Sequence, residues 1–248
     1  MPRVIGVMIM LFVILFPVVA GAGIDNALYA KVLERYVSDG LVDYANLKTH
    51  RDDLDNYLDM MGEVSPDDLS SDEQLAFFIN LYNAATLRLI IDNYPVESIK
   101  DIGSFFSSPW KLKVVRLDGK LVTLGHIEHE ILRPRFKDPR VHMALNCTAL
   151  SCPPLITIPY ETEMVDMQLE QATRSFINDG KNNYLDGTTL FVSKIFSWFS
   201  EDFPDDFVEW FTAYANGELK SDLEAMIMEG NKPRVRYLKY DWSLNRQR

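Results

Sequence analysis

An α+β fold, a single domain with a small mixed or antiparallel sheet packed against several helices, is predicted by three observations. One is a long apolar segment with a helix-start signature, "SSDEQLAFFINLYNAATLRLIIDNYP". The second is a hairpin pattern, "KVVRLDGKLVTL". The third is the irregular alternation of helical and strand-like segments around them, unlike the regular strand–helix repeat of a parallel sheet. No linker-like stretch or internal repeat divides the chain.

Taken in order, the first element is a leader. Arg3 precedes an uninterrupted apolar run over residues 4–16, then Pro17 and the small-residue stretch "VVAGAG". That is the pattern of a secretory signal peptide. Cleavage is expected after Ala20 or Ala22, leaving residues 23–248 as one periplasmic or secreted domain with no stable membrane insertion. An uncleaved anchor is the alternative if Pro17 is tolerated inside a longer span.

Apolar spacing predicts a helix over residues 25–37, a turn "SDG", a short extended piece "LVDY", and a helix over 47–61. Ser70 and Glu73 then form a capping box for the long helix that Pro95 closes, and its apolar surface runs nearly all round, as in a core helix. "VRLDGKLV" alternates about Asp118-Gly119, a two-residue turn. A short helix from 125 to about 133 is stopped by Pro134. "RVHMALN" reads as a buried strand running into the cysteines. A helix capped by Gly180, a strand "TTLFVSKIF", a helix over about 205–228 and a last strand "RVRYLKYDWSL" complete the chain.

The formal charge is −11, and its acids are scattered rather than gathered into a tail. Such a surface repels nucleic acid and anionic lipid. The chemistry-bearing residues concentrate in "VHMALNCTALSCPPL", which holds both cysteines, Cys147 and Cys152. Three readings fit this pair: a disulfide clip, favoured by an oxidising compartment; one reactive thiol beside a dispensable second; or two inert buried thiols. A clip requires the segment to curl, because five residues of extended chain outreach the Cα separation a disulfide tolerates.

A nucleophilic thiol needs a base. On a strand, His142, Ala144 and Asn146 would share one face and Cys147 the other, which sets His142 aside. His50 lies in the charged run "KTHRDD". His129 is therefore the candidate base, on a helix with Glu128, whose apolar neighbours raise its pKa unless it is paired. The buried helix carries Asn80 and Asn83 on one stripe with Glu73. These amides either hold loop backbone or orient an imidazole and line an oxyanion site. Asp241 and Asn245 flank Trp242 in the tail "YDWSLN" with the same ambiguity. A zinc site from a histidine and both cysteines has suitable donors but unsuitable spacing, since "HIEH" lacks the i, i+4 placement of a metalloprotease helix.

The segments "DGLVDY", "EQLAFFINLYNAATL", "IEHEILR", "DPRVHMALNCTALSCPPL", "LFVSKIFSWFSEDF" and "YDWSLN" resemble, in that order, the domain of unknown function 547 family, over about residues 36–245. The resemblance implies no settled activity; plant members are discussed as interaction partners. It also implies that Cys147 is steadier than Cys152, which counts against an obligatory disulfide, and that His126 is incidental. The sequence as a whole predicts a cysteine-dependent hydrolase or acyltransferase acting on a peptide-like or cell-envelope ligand, with no metal or other cofactor. Its site comprises Cys147, His129, His142, Glu128 and Asn83, with Asn80, Asn146 and Asp241 toward substrate. The alternative is a non-enzymatic binding or scaffold module shaped by a Cys147–Cys152 disulfide.

Overall fold

The computed structural model describes residues 24–103 and 107–247; the leader expected over residues 1–22 lies outside them. The chain opens with helix α1 (Ala27–Tyr36), whose Tyr29, Val32, Leu33 and Tyr36 face inward at helical spacing. Strands β1 (Val37–Ser38) and β2 (Leu41–Val42) make a small antiparallel ladder. Gly40, at φ +74°, sits between them, and a Cβ there would lie 2.6 Å from the Pro154 side chain. The helix expected over 47–61 is two helices, α2 (Tyr44–Thr49) and α3 (Asp52–Gly62). Asp43 caps the first through the Asn46 N–H, and Asp52, Asp53 and Asp55 favour a fresh N-terminus for the second.

Helix α4 (Ser71–Asn93) carries the expected Ser70–Glu73 capping box and ends before Pro95. It is apolar and long enough to cross a membrane, yet it lies buried within the protein. Strands β3 (Lys113–Leu117) and β4 (Lys120–Thr123) form the expected hairpin, with Asp118 and Gly119 both at positive φ. Next come one turn of helix, α5 (Leu124–His126), a π-helical turn (Ile127–Leu132) and α6 (Arg133–Phe136). Pro134 does not stop this segment. It occupies the first turn of α6, where its missing N–H is tolerated, and the chain leaves through Lys137 at φ +52°.

The segment read as a strand is a 3₁₀ helix (Pro139–Met143) followed by turns. Its start is locally encoded: the Asp138 side chain accepts from the Arg140 N–H, and Pro139 takes the first position. Helix α7 (Val165–Ile177) ends at Asn178 and not at Gly180, because the Asn178 amide itself donates to the Arg174 and Tyr214 carbonyls. Strands β5 (Tyr184–Asp186) and β6 (Thr189–Val192) pair antiparallel. After α8 (Ile195–Trp198), the last predicted helix is again two, α9 (Phe207–Tyr214) and α10 (Gly217–Met228), separated by extended Ala215. Strand β7 (Arg234–Tyr237) adds parallel to β6, which makes a three-stranded mixed sheet in the order β5-β6-β7. The fold is thus α+β, with small sheets packed against several helices.

The described residues bury two apolar clusters. The larger surrounds α4 with α1, α3, Leu124, Ile127 and Leu132. The smaller joins Phe176, Phe196, Phe203, Phe211 and Tyr240 with β6. Half-buried Trp242 packs against both, and the pocket described next opens beside it.

Candidate active site

A pocket of about 200 Å³ is lined by Glu128, His129, His142 and Cys147, together with Cys152 and the aromatic rings of Tyr82, Trp110, Trp198, Phe199, Tyr240 and Trp242. Four of the five residues expected to carry chemistry meet there. The fifth, Asn83, does not line it. Its amide donates to the Ala144 carbonyl at 2.9 Å and accepts from the Asn146 N–H at 2.8 Å, so it fixes the backbone that leads into Cys147.

That backbone is held from every side. Asn146 accepts from the Thr148 N–H and donates to the Pro153 carbonyl. The C-terminal tail closes the loop, because Asn245 N–H donates to the Thr148 carbonyl and Leu150 N–H to that of Ser243. Asn245 in turn receives the Tyr44 hydroxyl at 2.6 Å and donates to the Gly40 carbonyl, which links "DGLVDY" and "YDWSLN" to the cysteine loop. The hydrogen bonds hold Thr148, the residue after Cys147, at φ +65°. For a β-branched residue this conformation costs about 1–2 kcal/mol, and such strain persists only where the surroundings over-determine it.

Asn80, one turn before Asn83, holds Tyr160 through both its N–H and its carbonyl, away from the pocket. Asp241 is exposed, accepts from the Ser243 N–H and borders a separate shallow groove with Glu97, Ser98 and Asp101. Asn80, Asn146 and Asp241 are therefore bonded to backbone rather than directed at the pocket. A buried amide in an apolar helix signals only that a partner exists; the sequence does not say which.

Cys147 and Cys152 are both free thiols. The loop curls so far that the Cys147 N–H reaches the Cys152 sulfur at 2.8 Å. The Cys147 thiol is held below its ordinary range, first by a hydrogen bond from Cys152, and then by the Tyr240 hydroxyl at 3.2 Å and the Ala149 N–H, which together outweigh burial. Burial pushes the Cys152 thiol the other way, so Cys147 is the more acidic of the two. Tyr240 is also raised by burial and so keeps the proton it donates.

The histidines are bound differently. His129 is on the rim, and its Nδ1 accepts from Arg133 Nη1 at 3.1 Å, because a guanidinium only donates. A neutral His129 ring therefore carries its proton on Nε2. His142 is buried, stacked on Phe199 at 4.1 Å, with Nε2 2.6 Å from Asp202 Oδ2. This pairing assigns its proton to Nε2 and leaves Nδ1 as the acceptor. Desolvation lowers the His142 pKa, although Asp202 partly restores it. Asp202 is itself held low: burial opposes its ionisation, but bonds from Arg133, at 2.6 Å, and from His142 prevail. The strand argument that set His142 aside fails, because strand alternation does not apply to a 3₁₀ turn.

Glu128 is buried, and desolvation raises its pKa against the opposing influence of His129, Tyr82 and Arg133. Its single side-chain partner among the described residues is the Tyr82 hydroxyl at 3.0 Å, which itself accepts from Trp110 Nε1. Glu128 and His129 stand on the π-helical turn, a rare feature that gathers at functional sites. Two departures from regular backbone, that turn and the strained Thr148, thus border one pocket. Asp202 was not among the expected site residues, although "SWFSEDF" contains it; an acid within a run of aromatics was the available signal. Among the described residues, no three His, Cys, Asp or Glu side chains gather as metal ligands.

Residues 66–177 match the model of a family described as "Protein of unknown function, DUF547". The matched stretch includes α4, the π-helical turn and the cysteine loop, and is shorter than the resemblance expected over 36–245. Neither curated proteins nor solved structures match the chain.

Proposed function

We propose that this chain, which carries a DUF547 family region over residues 66–177, is an exported thiol-dependent acyl-transfer enzyme, a hydrolase or acyltransferase with Cys147 as its nucleophile. One observation carries the reading: a single aromatic pocket gathers an activated thiol, a histidine held by a carboxylate, and a buried carboxyl whose pKa desolvation raises. Pocket residues with perturbed titration and defined partners are the physical signature of a reactive site.

In the proposed step, Cys147 Sγ attacks an acyl carbon, a C–S bond forms, and the carbonyl electron pair moves onto oxygen. The thiol proton passes to His142 Nδ1, while Asp202 holds the ring and stabilises its charged form. Collapse of the adduct breaks the bond to the leaving group, which takes that proton from His142. Water then attacks the thioester, releasing a carboxylic acid and restoring the thiol. The Nε2–H of His129, with the carboxyl of Glu128 when it is protonated, donates to the oxyanion. Base and oxyanion donor thus fall to His142 and His129, a reassignment from the expectation that His129 takes the proton.

Export rests on Arg3, the apolar run 4–16 and the small residues before Gly23. The ligand, by the same compartment, is peptide-like or from the cell envelope. Amino-terminal sequencing of protein from the envelope fraction is expected to begin at residue 21 or 23.

The chemical test is alkylation of the folded, unreduced protein with iodoacetamide at neutral pH, followed by incubation of fresh protein with an acyl thioester. A single adduct at Cys147 and a transient acyl-enzyme, both lost in Cys147→Ser, are expected. Complete protection of both cysteines would favour the disulfide-shaped scaffold instead.

A further inference from the structure

We infer that the pocket beside Cys147 is built for one uncharged six-membered aromatic ring on the acyl side of the substrate. This rests on the acyl-transfer reading and adds the chemical class of the group transferred. Volume is the first argument. A dry apolar cavity of roughly 150 Å³ accommodates benzene, and this pocket, at about 200 Å³, holds one such ring with room for a short linking chain.

The walls are the second. Trp198, Tyr240 and Trp242 meet in pairs, with ring centroids 4.6–5.5 Å apart. Trp110 extends this surface, with its ring 5.9 Å from that of Trp242. A planar guest on such walls finds the tilted and edge-to-face contacts aromatic rings prefer.

Third, most polar groups are already committed to one another, and the two free ring nitrogens, His142 Nδ1 and His129 Nε2, are taken by the reacting acyl group. Tyr82 donates to Glu128, Tyr240 bonds Cys147, Arg133 bonds His129, and His142 bonds Asp202. A sugar would bring several hydroxyls with few free partners, and each unmet hydrogen bond weakens binding. A carboxylate would find the nearest guanidinium, Arg133, already paired with Glu201 and Asp202.

Three of the chain's four tryptophans line the pocket, so intrinsic fluorescence reports its occupancy. The experiment titrates the full-length Cys147→Ser protein with 3-phenylpropanamide, 4-methylpentanamide, succinamate and N-acetylglucosamine. Saturable quenching is expected with 3-phenylpropanamide, about two- to tenfold weaker binding with the aliphatic amide, and none from the acid or the sugar over the same range. Adding Trp198→Ala, at an exposed position on the rim, is expected to weaken the aromatic amide by a similar factor with an unchanged circular dichroism spectrum. Equal binding of the sugar, the acid or the aliphatic amide overturns the inference, as does the lack of any saturable change.

The catalytic reading fails separately. If the aromatic amide binds but 3-phenylpropanoyl thioester leaves no adduct on wild-type Cys147, the nucleophile assignment falls and the ring pocket stands. An adduct formed at equal rates from acetyl and phenylpropanoyl thioesters has the opposite meaning.

Discussion

The two walls of the pocket are made in different ways. One comes from the larger core: α4 is fixed by burial, and its Asn83 sets the backbone that delivers Cys147, while the π-helical turn packed on the same helix delivers Glu128. The other comes from short or irregular pieces, α8 and the tail around Tyr240 and Trp242, and presents rings with one exposed indole. The contrast teaches a division of labour. Groups that react must stay within a fraction of an ångström of their geometry, so their backbone is tied to the rigid element. Surfaces that only shape and select need area more than position.

The sharpest way to break this comparison is Cys147→Ala. Thioester turnover is expected to fall by at least ~10³-fold, with little change in melting temperature because the side chain is only half-buried. Intact mass and calorimetry check both. Next is Asp202→Asn, expected to reduce turnover by about 10²- to 10⁴-fold and to change the pH profile. Removing the carboxylate deletes the influence that raises His142, so the ring titrates at lower pH and the acid limb of the profile shifts down with it. A profile that keeps its limb would mean that Asp202 serves only Arg133.

The third test compares neighbours on one helix. Asn83→Ala leaves the buried Asn146 N–H and Ala144 C=O unpaired, whereas Asn80→Ala leaves the Tyr160 N–H unpaired and its C=O with the Asn26 amide alone, at about 1–3 kcal/mol per unpaired group. Both are expected to lose stability in urea, Asn83→Ala the more, but only Asn83→Ala slows Cys147 alkylation. If both slow it equally, α4 does not position the loop selectively.

The smallest effect is that of Glu128→Gln on stability. A carboxyl whose folded pKa is raised favours folding most below its unfolded pKa, and that contribution is lost as pH rises through the folded value. The variant is expected to melt higher than wild type at neutral pH and to lose that advantage in acid. Melting curves across pH measure the difference, and a constant offset would mean that burial leaves the titration of Glu128 unchanged.

Local signals were legible wherever neighbours in sequence settle the matter. The Ser70–Glu73 box, the Asp118-Gly119 turn and the all-round apolarity of α4 each depend on residues within one or two turns, and each holds in the structure. A strand over 141–146 does not form, because a short apolar run fits a buried strand or a buried turn equally well, and Asp138-Pro139 just upstream starts the turn. The break between α2 and α3 was masked in the same way by continuous apolar spacing.

By itself, the sequence determined the class of fold, the long core helix and the segment in which the reactive residues concentrate, because propensity, capping and periodicity act over short distances. Only the tertiary structure decided which groups meet. Asp202 lies sixty residues from His142 yet bonds it, Asn245 closes a loop nearly one hundred residues before it, and Arg133 fixes the tautomer of His129. Those pairings follow from two cores folding against each other, and no local spacing encodes them.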